Sequence, residues 1–74
     1  MQVTVKLFAE LREGRFDVEN SELAEQSRVM DVVQGLNIPL DQVQICLVNG
    51  RDANADHVIQ NGDTVSLFPP VGGA

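Results

Sequence analysis

The chain opens on a strict alternation in which Val3, Val5 and Leu7 are apolar and Gln2, Thr4 and Lys6 polar. This is the period-two signature of a strand with one buried face. Residues 9–15 are mostly charged and include Gly14, so they read as a turn; Phe16 and Val18 then alternate with Arg15, Asp17 and Glu19, which predicts a hairpin. From Asn20 to Ser27 the run is polar, with Leu23 its one large apolar residue, and predicts a connection over the surface. The period then changes. Val29, Val32, Val33 and Leu36 stand at i, i+3, i+4 and i+7, placing four apolar side chains on one helical face. Ser27 is the expected N-cap, Asp31 supplies a first-turn negative charge, and Pro39 prevents continuation beyond Ile38, for a helix of about ten residues. Valine is a mediocre helix former, so this segment must be held by packing against a sheet.

After Pro39 and a short link, Val43, Ile45 and Leu47 alternate with Gln44, Cys46 and Val48 up to Asn49-Gly50, a pair suited to a tight hairpin turn. Val58 and Ile59 precede a second turn signal, Asn61-Gly62-Asp63, and Val65 to Phe68 read as a last strand ended by Pro69 and Pro70. The order hairpin, helix, strands is α+β. In so short a chain it predicts a β-grasp sheet, mixed, of four to five strands, with one main helix across one face and the first and last strands parallel at the centre. Residues 1–70 are expected to form the single domain and 71–74 a flexible C-terminal tail.

Composition narrows the function classes. A chain of 74 residues has room for one core, since it buries only about 60% of its unfolded surface. Five Lys or Arg against eleven Asp or Glu, a net charge of −6, argue against nucleic acid or an anionic membrane as partner and favour basic protein surfaces. One Cys and one His permit no intramolecular disulfide and no four-ligand zinc site, so no metal is expected. The alternating start is unlike a signal peptide and no apolar run approaches a membrane span, so a cytoplasmic location is expected.

The catalytic constellations are missing. Cys46, between Ile45 and Leu47, reads as a buried small hydrophobe, and His57, with no companion at ligand spacing, as a surface histidine. Asp52 and Asp56 lack the ligand pattern of a calcium loop, and Asp17, Glu19, Glu22 and Glu25 read as a solvated acidic face. The end of the chain is different. Gly72 and Gly73 follow a Pro-Pro stop, giving a tether stiff at its base and able to thread a narrow channel at its tip. An ordinary frayed terminus is the other reading.

The residues Phe68-Pro69-Pro70-Val71-Gly72-Gly73-Ala74, the turn Asn61-Gly62-Asp63 leading into Thr64-Val65, and the opening Val5 to Glu13 together resemble the ubiquitin-like sulfur carriers (MoaD/ThiS-like), which include the small subunit of molybdopterin synthase and the thiamine-pathway carrier. Phe-Pro-Pro-Val points to the molybdopterin branch. The resemblance implies a ubiquitin-like β-grasp fold and a carrier whose C-terminal carboxylate is adenylated by a separate E1-like enzyme using ATP and Mg. A sulfur donor protein then converts the adenylate to a thiocarboxylate. It further implies that residues Phe68 to Gly73 insert into the large subunit of molybdopterin synthase, that the chain binds no cofactor, and that the partners hold the catalytic groups.

One position departs from the family pattern. Aligned without a gap, Gly73 and Ala74 fall where the family has two glycines. The resemblance then implies loading at Ala74 if it stays, or at Gly73 if Ala74 is trimmed; loss of carrier function is the third outcome. A shift of one residue changes the reach by at most about 3.3–3.6 Å. Two other functions share the fold: a non-catalytic β-grasp interaction module, and a ubiquitin-like modifier joined to other proteins.

Overall fold

The computed structural model describes residues 1–70, and the expectations for Val71, Gly72, Gly73 and Ala74 lie outside the described residues. Strand β1 (Gln2–Leu7) buries Val3, Val5 and Leu7 and turns Thr4 and Lys6 to the other face, as its alternation predicts. It runs antiparallel to β2 (Val18–Glu22) and parallel to the last strand, β5 (Thr64–Phe68), which buries Val65 and Leu67. Strand β3 (Ile45–Val48) pairs antiparallel with β5 and with the two-residue β4 (Arg51–Asp52), giving the order β2-β1-β5-β3-β4. Helix α1 (Val29–Gly35) lays Val29, Val32 and Val33 on one sheet face, and Leu11, Ile38 and Ile59 close the core around it. Each fully buried Val, Leu or Ile contributes about 1.5–3 kcal/mol relative to exposure. This is the mixed five-stranded β-grasp sheet that the element order predicts.

Four local expectations are corrected. The second strand lies at Val18–Glu22, later than expected, and takes residues assigned to the connection. It is exposed nearly throughout because it is an edge strand, held by the ladder to β1 and not by an apolar face of its own. The stretch 9–15 is more than a turn: Ala9–Arg12 is a short 3-10 helix that buries Leu11. The main helix has seven residues and begins after Arg28. Ser27 does not cap it, because its hydroxyl donates to the Ala24 carbonyl at 2.7 Å. The first-turn amides are satisfied by tertiary carbonyls instead: Val29 N–H donates to His57 and Met30 N–H to Ala55, while the Asp31 carboxylate accepts from Arg28 N–H at 2.8 Å. Pro39 is not the stop either. Asn37 adopts φ +59°, and the Asn37 and Ile38 amides donate to the Gln34 and Val33 carbonyls, the Schellman arrangement that ends a helix before any proline is reached.

The fourth correction is one of phase. Cys46 and Val48 point into the core, whereas Ile45 is 42% exposed and Leu47 half-buried. Four consecutive apolar residues carry no alternation, so the register with β5 decides which two are inward: Cys46 lies opposite Leu67 and Val48 opposite Val65. The Asn49-Gly50 turn forms as expected, with φ +55° and +82°. Val58 and Ile59 form no regular strand; Ile59 is buried, and Val58 makes an isolated bridge to Arg28.

Candidate functional site

Because β1 and β5 are parallel, the chain leaves the sheet at its centre, beside the end of β1. In-register neighbours point to the same face, so the side opposite the helix can be read row by row. Val18, Lys6, Ser66, Leu47 and Asp52 form one row, and Asn20, Thr4 and Thr64 the next, with the Thr4 hydroxyl 3.0 Å from the Asn20 side-chain oxygen. At the end where β5 finishes, Phe68 lies opposite Ile45. Its ring stacks on Phe8, with centroids 4.2 Å apart and planes 10° from parallel. Ala9, at φ +52°, then turns the chain off β1. Phe8, Ala9, Glu10, Ile45, Phe68, Pro69 and Pro70 enclose a mostly apolar groove of about 300 Å³. The predicted residues Phe68, Pro69 and Pro70 thus share one surface with Phe8 and Ile45.

Sequence reasoning did not assign Phe8 and Ile45 to this site. Phe8 continues the polar phase of the first strand, with Thr4 and Lys6, and Ile45 stands in an alternation with Val43 and Leu47 that marks no surface site.

The other end of β5 is held by side chains. The Asp63 carboxylate accepts from Gln60 N–H at 2.9 Å and from the Asn49 amide at 2.8 Å, and the Asn49 side-chain oxygen accepts from Thr64 N–H at 2.9 Å. The Asn61 side-chain oxygen accepts from Gln2 N–H, and Gly62 N–H donates to the Gln2 carbonyl. Both turns are thereby tied to each other and to β1, so the strand that carries the tail enters the sheet in one register.

The remaining sequence candidates lie elsewhere. Cys46 is buried beneath the sheet, where desolvation pushes its thiol up to about 11. His57 is exposed on an open cleft of about 540 Å³ that Arg51, Asp52, Gln60 and Asp63 also line. Asp56 pairs with Arg28 at 3.9 Å. Glu22 and Glu25 lie 3.0 and 3.8 Å from the Met1 amino group, at the end of β2 away from Phe8. Among the described residues, no group of three or more His, Cys, Asp or Glu side chains is placed to hold a metal. Nor, among the described residues, is any helix long and apolar enough to cross a membrane.

A mixed β-grasp sheet whose last strand ends at Pro69 and Pro70 beside an apolar, aromatic surface places the chain in the ubiquitin-like class of folds. The ThiS family model matches residues 5–73, and the chain belongs to that family, with the ubiquitin-like sulfur-carrier fold. A Pyrococcus furiosus protein assigned as molybdopterin converting factor subunit 1 is 33% identical, with 96% of this chain and 99% of that one covered and a TM-score of 0.77. Small archaeal modifier protein 1 of Haloferax volcanii is 26% identical over 95% of this chain and 98% of its own, TM-score 0.76. A chain of the complex between subunits 1 and 2 of the Helicobacter pylori molybdopterin-converting factor is 26% identical, with full coverage of both and a TM-score of 0.65. No curated protein matches the sequence at a significant level.

Proposed function

We propose that this chain is the sulfur-carrying small subunit of a molybdopterin synthase, serving molybdenum or tungsten cofactor biosynthesis. The observation that carries the reading is the continuity of the Phe8–Phe68–Ile45 surface with Pro69 and Pro70. A partner that receives the tail must lie against that surface, so apolar burial there holds the chain end in place. The match to subunit 1 of a molybdopterin converting factor, and the H. pylori complex of subunits 1 and 2, support the large synthase subunit as that partner.

The chemistry begins with a terminal carboxylate, a poor electrophile. Transfer of AMP from ATP on an E1-like enzyme, with Mg neutralising the departing pyrophosphate, gives an acyl-adenylate. Attack by the terminal sulfur of a donor protein's persulfide then expels AMP and forms an acyl disulfide; a second thiol attacks the donor-side sulfur, which closes a disulfide on the donor and releases the thiocarboxylate. Phe68, Pro69 and Pro70 set the direction of exit, Val71 adds an apolar contact, and Gly72 and Gly73 pass through the channel. The loaded residue is Ala74 when it remains and Gly73 when it has been removed. We place this activity in the cytoplasm.

Intact-mass measurement after incubation with the adenylating enzyme, ATP, Mg and a sulfur donor tests this. Exchange of oxygen for sulfur on the full-length chain is expected if Ala74 is loaded, and exchange confined to a species lacking Ala if it is trimmed. No exchange with any cognate enzyme overturns the reading. The likeness to small archaeal modifier protein 1 favours a second reading, protein modification, for which a ladder of conjugates is the expected result.

A further inference from the structure

We infer that Lys6 is a specificity-determining residue of the docking face, and that the large synthase subunit sets a carboxylate against its ammonium. The inference rests on the open face being that subunit's docking site. Lys6 is the only lysine in the chain and the only cation on the inner rows of this face. Val18 flanks it on one side and Ser66 and Leu47 on the other; Thr4 and Thr64 lie one row away, and Phe8 and Phe68 one row the other way. None of these is acidic. The carboxylates of the face stand at its margins: Glu10 lines the groove beyond Phe8, Glu22 is four residues beyond Val18 on β2, and Asp52 is three strand spacings away, about 14 Å. Among the described residues, the Lys6 ammonium forms no ion pair; those present join Met1, Arg12 and Arg28 to acidic groups.

The geometry of docking makes this cation decisive. Side chains two residues apart on one strand face are about 7 Å apart, so Lys6 lies within about 10 Å of the Phe8–Phe68 stack. A standard interface of about 800 Å² per partner, centred on that stack, has a radius of about 16 Å and covers Lys6. At the rim a lysine keeps its water by extending its stem outward. Under a partner that spans the rows on both sides of it, the ammonium loses that water, and an unpaired buried charge opposes binding strongly. A partner carboxylate opposite Lys6 removes the penalty, whereas one presenting a hydrophobe or a cation there is rejected. The chain's acidity pointed to basic partner surfaces, and the rim, with Glu10, Glu22 and Asp52, fits that. The centre asks for the opposite sign.

The single lysine makes the contact directly measurable. The complex with the large molybdopterin synthase subunit is treated with a water-soluble carbodiimide, which joins a lysine amine to a carboxylate at ion-pair distance as an amide, and the cross-linked peptides are read by mass spectrometry. Expected is a cross-link between Lys6 and one Asp or Glu of the large subunit. Lys6→Glu is expected to weaken binding at least about tenfold, Lys6→Arg by no more than about threefold, and reversal of the cross-linked carboxylate to Lys should restore binding to Lys6→Glu. Wild-type binding with Lys6→Glu within about twofold of it, and with Lys6 as open to amine acetylation in the complex as in the free chain, overturns the inference and leaves the synthase reading intact. Absence of wild-type binding to the large subunit overturns the reading, and the inference with it. The acetylation comparison uses the unsubstituted chain, so it does not depend on the variants folding.

Discussion

Phe8 and Phe68, sixty positions apart in the chain, stack face to face at the point where β5 ends, with ring centroids 4.2 Å apart. The stack is half-buried, on the side of the sheet away from the helix, so its apolar area lies outside the core and is open to the proposed partner. Phe8→Ala or Phe68→Ala should therefore cost about 0.5–1.5 kcal/mol in stability from the lost ring pair. Affinity for the large synthase subunit should fall about tenfold or more, the size expected of a central aromatic anchor. Thermal melting beside isothermal titration separates the two effects.

Asp63 ties the two turns together through Gln60 N–H and the Asn49 amide. Asp63→Ala removes both acceptors and leaves Asn49 held only by the bond its side-chain oxygen accepts from Thr64 N–H. A loss of about 1.5–3 kcal/mol in urea unfolding is expected, since the bonds are charge-assisted. Asp63→Asn should recover part of it, because an amide oxygen still accepts.

Arg15 joins the loop after β1 to the end of the helix. Its guanidinium donates to the Leu36 and Asn37 carbonyls at 3.2 and 3.4 Å and to the Leu11 carbonyl at 3.3 Å. The Leu36 and Asn37 carbonyls are acceptors left without partners where the helix ends, and the Leu11 carbonyl belongs to the short 3-10 helix Ala9–Arg12. Arg15→Ala should cost about 1 kcal/mol in chemical unfolding, and Arg15→Lys most of that, since an ammonium cannot span three carbonyls in one plane.

Cys46 sets a pH dependence. Burial raises its thiol from 9.0 to about 11, so between those values the unfolded chain loses a proton that the folded chain keeps. Its contribution to stability is present in full below pH 9 and is lost as pH rises towards 11. Cys46→Ala should flatten the fall in unfolding free energy across that window. At pH 8 the folded thiol should react with iodoacetamide at least about a hundredfold more slowly than the unfolded one, from the thiolate fraction alone.

How much of this was legible in the sequence follows from where each signal lies. Val3, Val5 and Leu7, and the helical spacing of Val29, Val32 and Val33, carry their own periods, so strand, helix and core face could be read from a few adjacent residues. Asn49-Gly50 carries its own backbone preference, and Pro69-Pro70 marks the end of the sheet without reference to anything distant. The family resemblance rested on the same local strings. By contrast, the strand at Val18–Glu22 has no apolar period, because an edge strand is held by backbone bonds to its neighbour. The helix ends were equally hidden: the carbonyls of Ala55 and His57 reach the first turn from a loop more than twenty residues away.

The amino-acid sequence by itself determined the order of the main elements, the core faces of β1 and the helix, and the stop at Pro69. The phase of Ile45–Val48, the stacking of Phe8 on Phe68, and the isolation of Lys6 within an uncharged ring were decided only by the tertiary structure. The physical reason is register. A strand's period of two says that alternate residues share a face, but only pairing with neighbours far along the chain says which residues meet across it, and the proposed docking surface is made of those meetings.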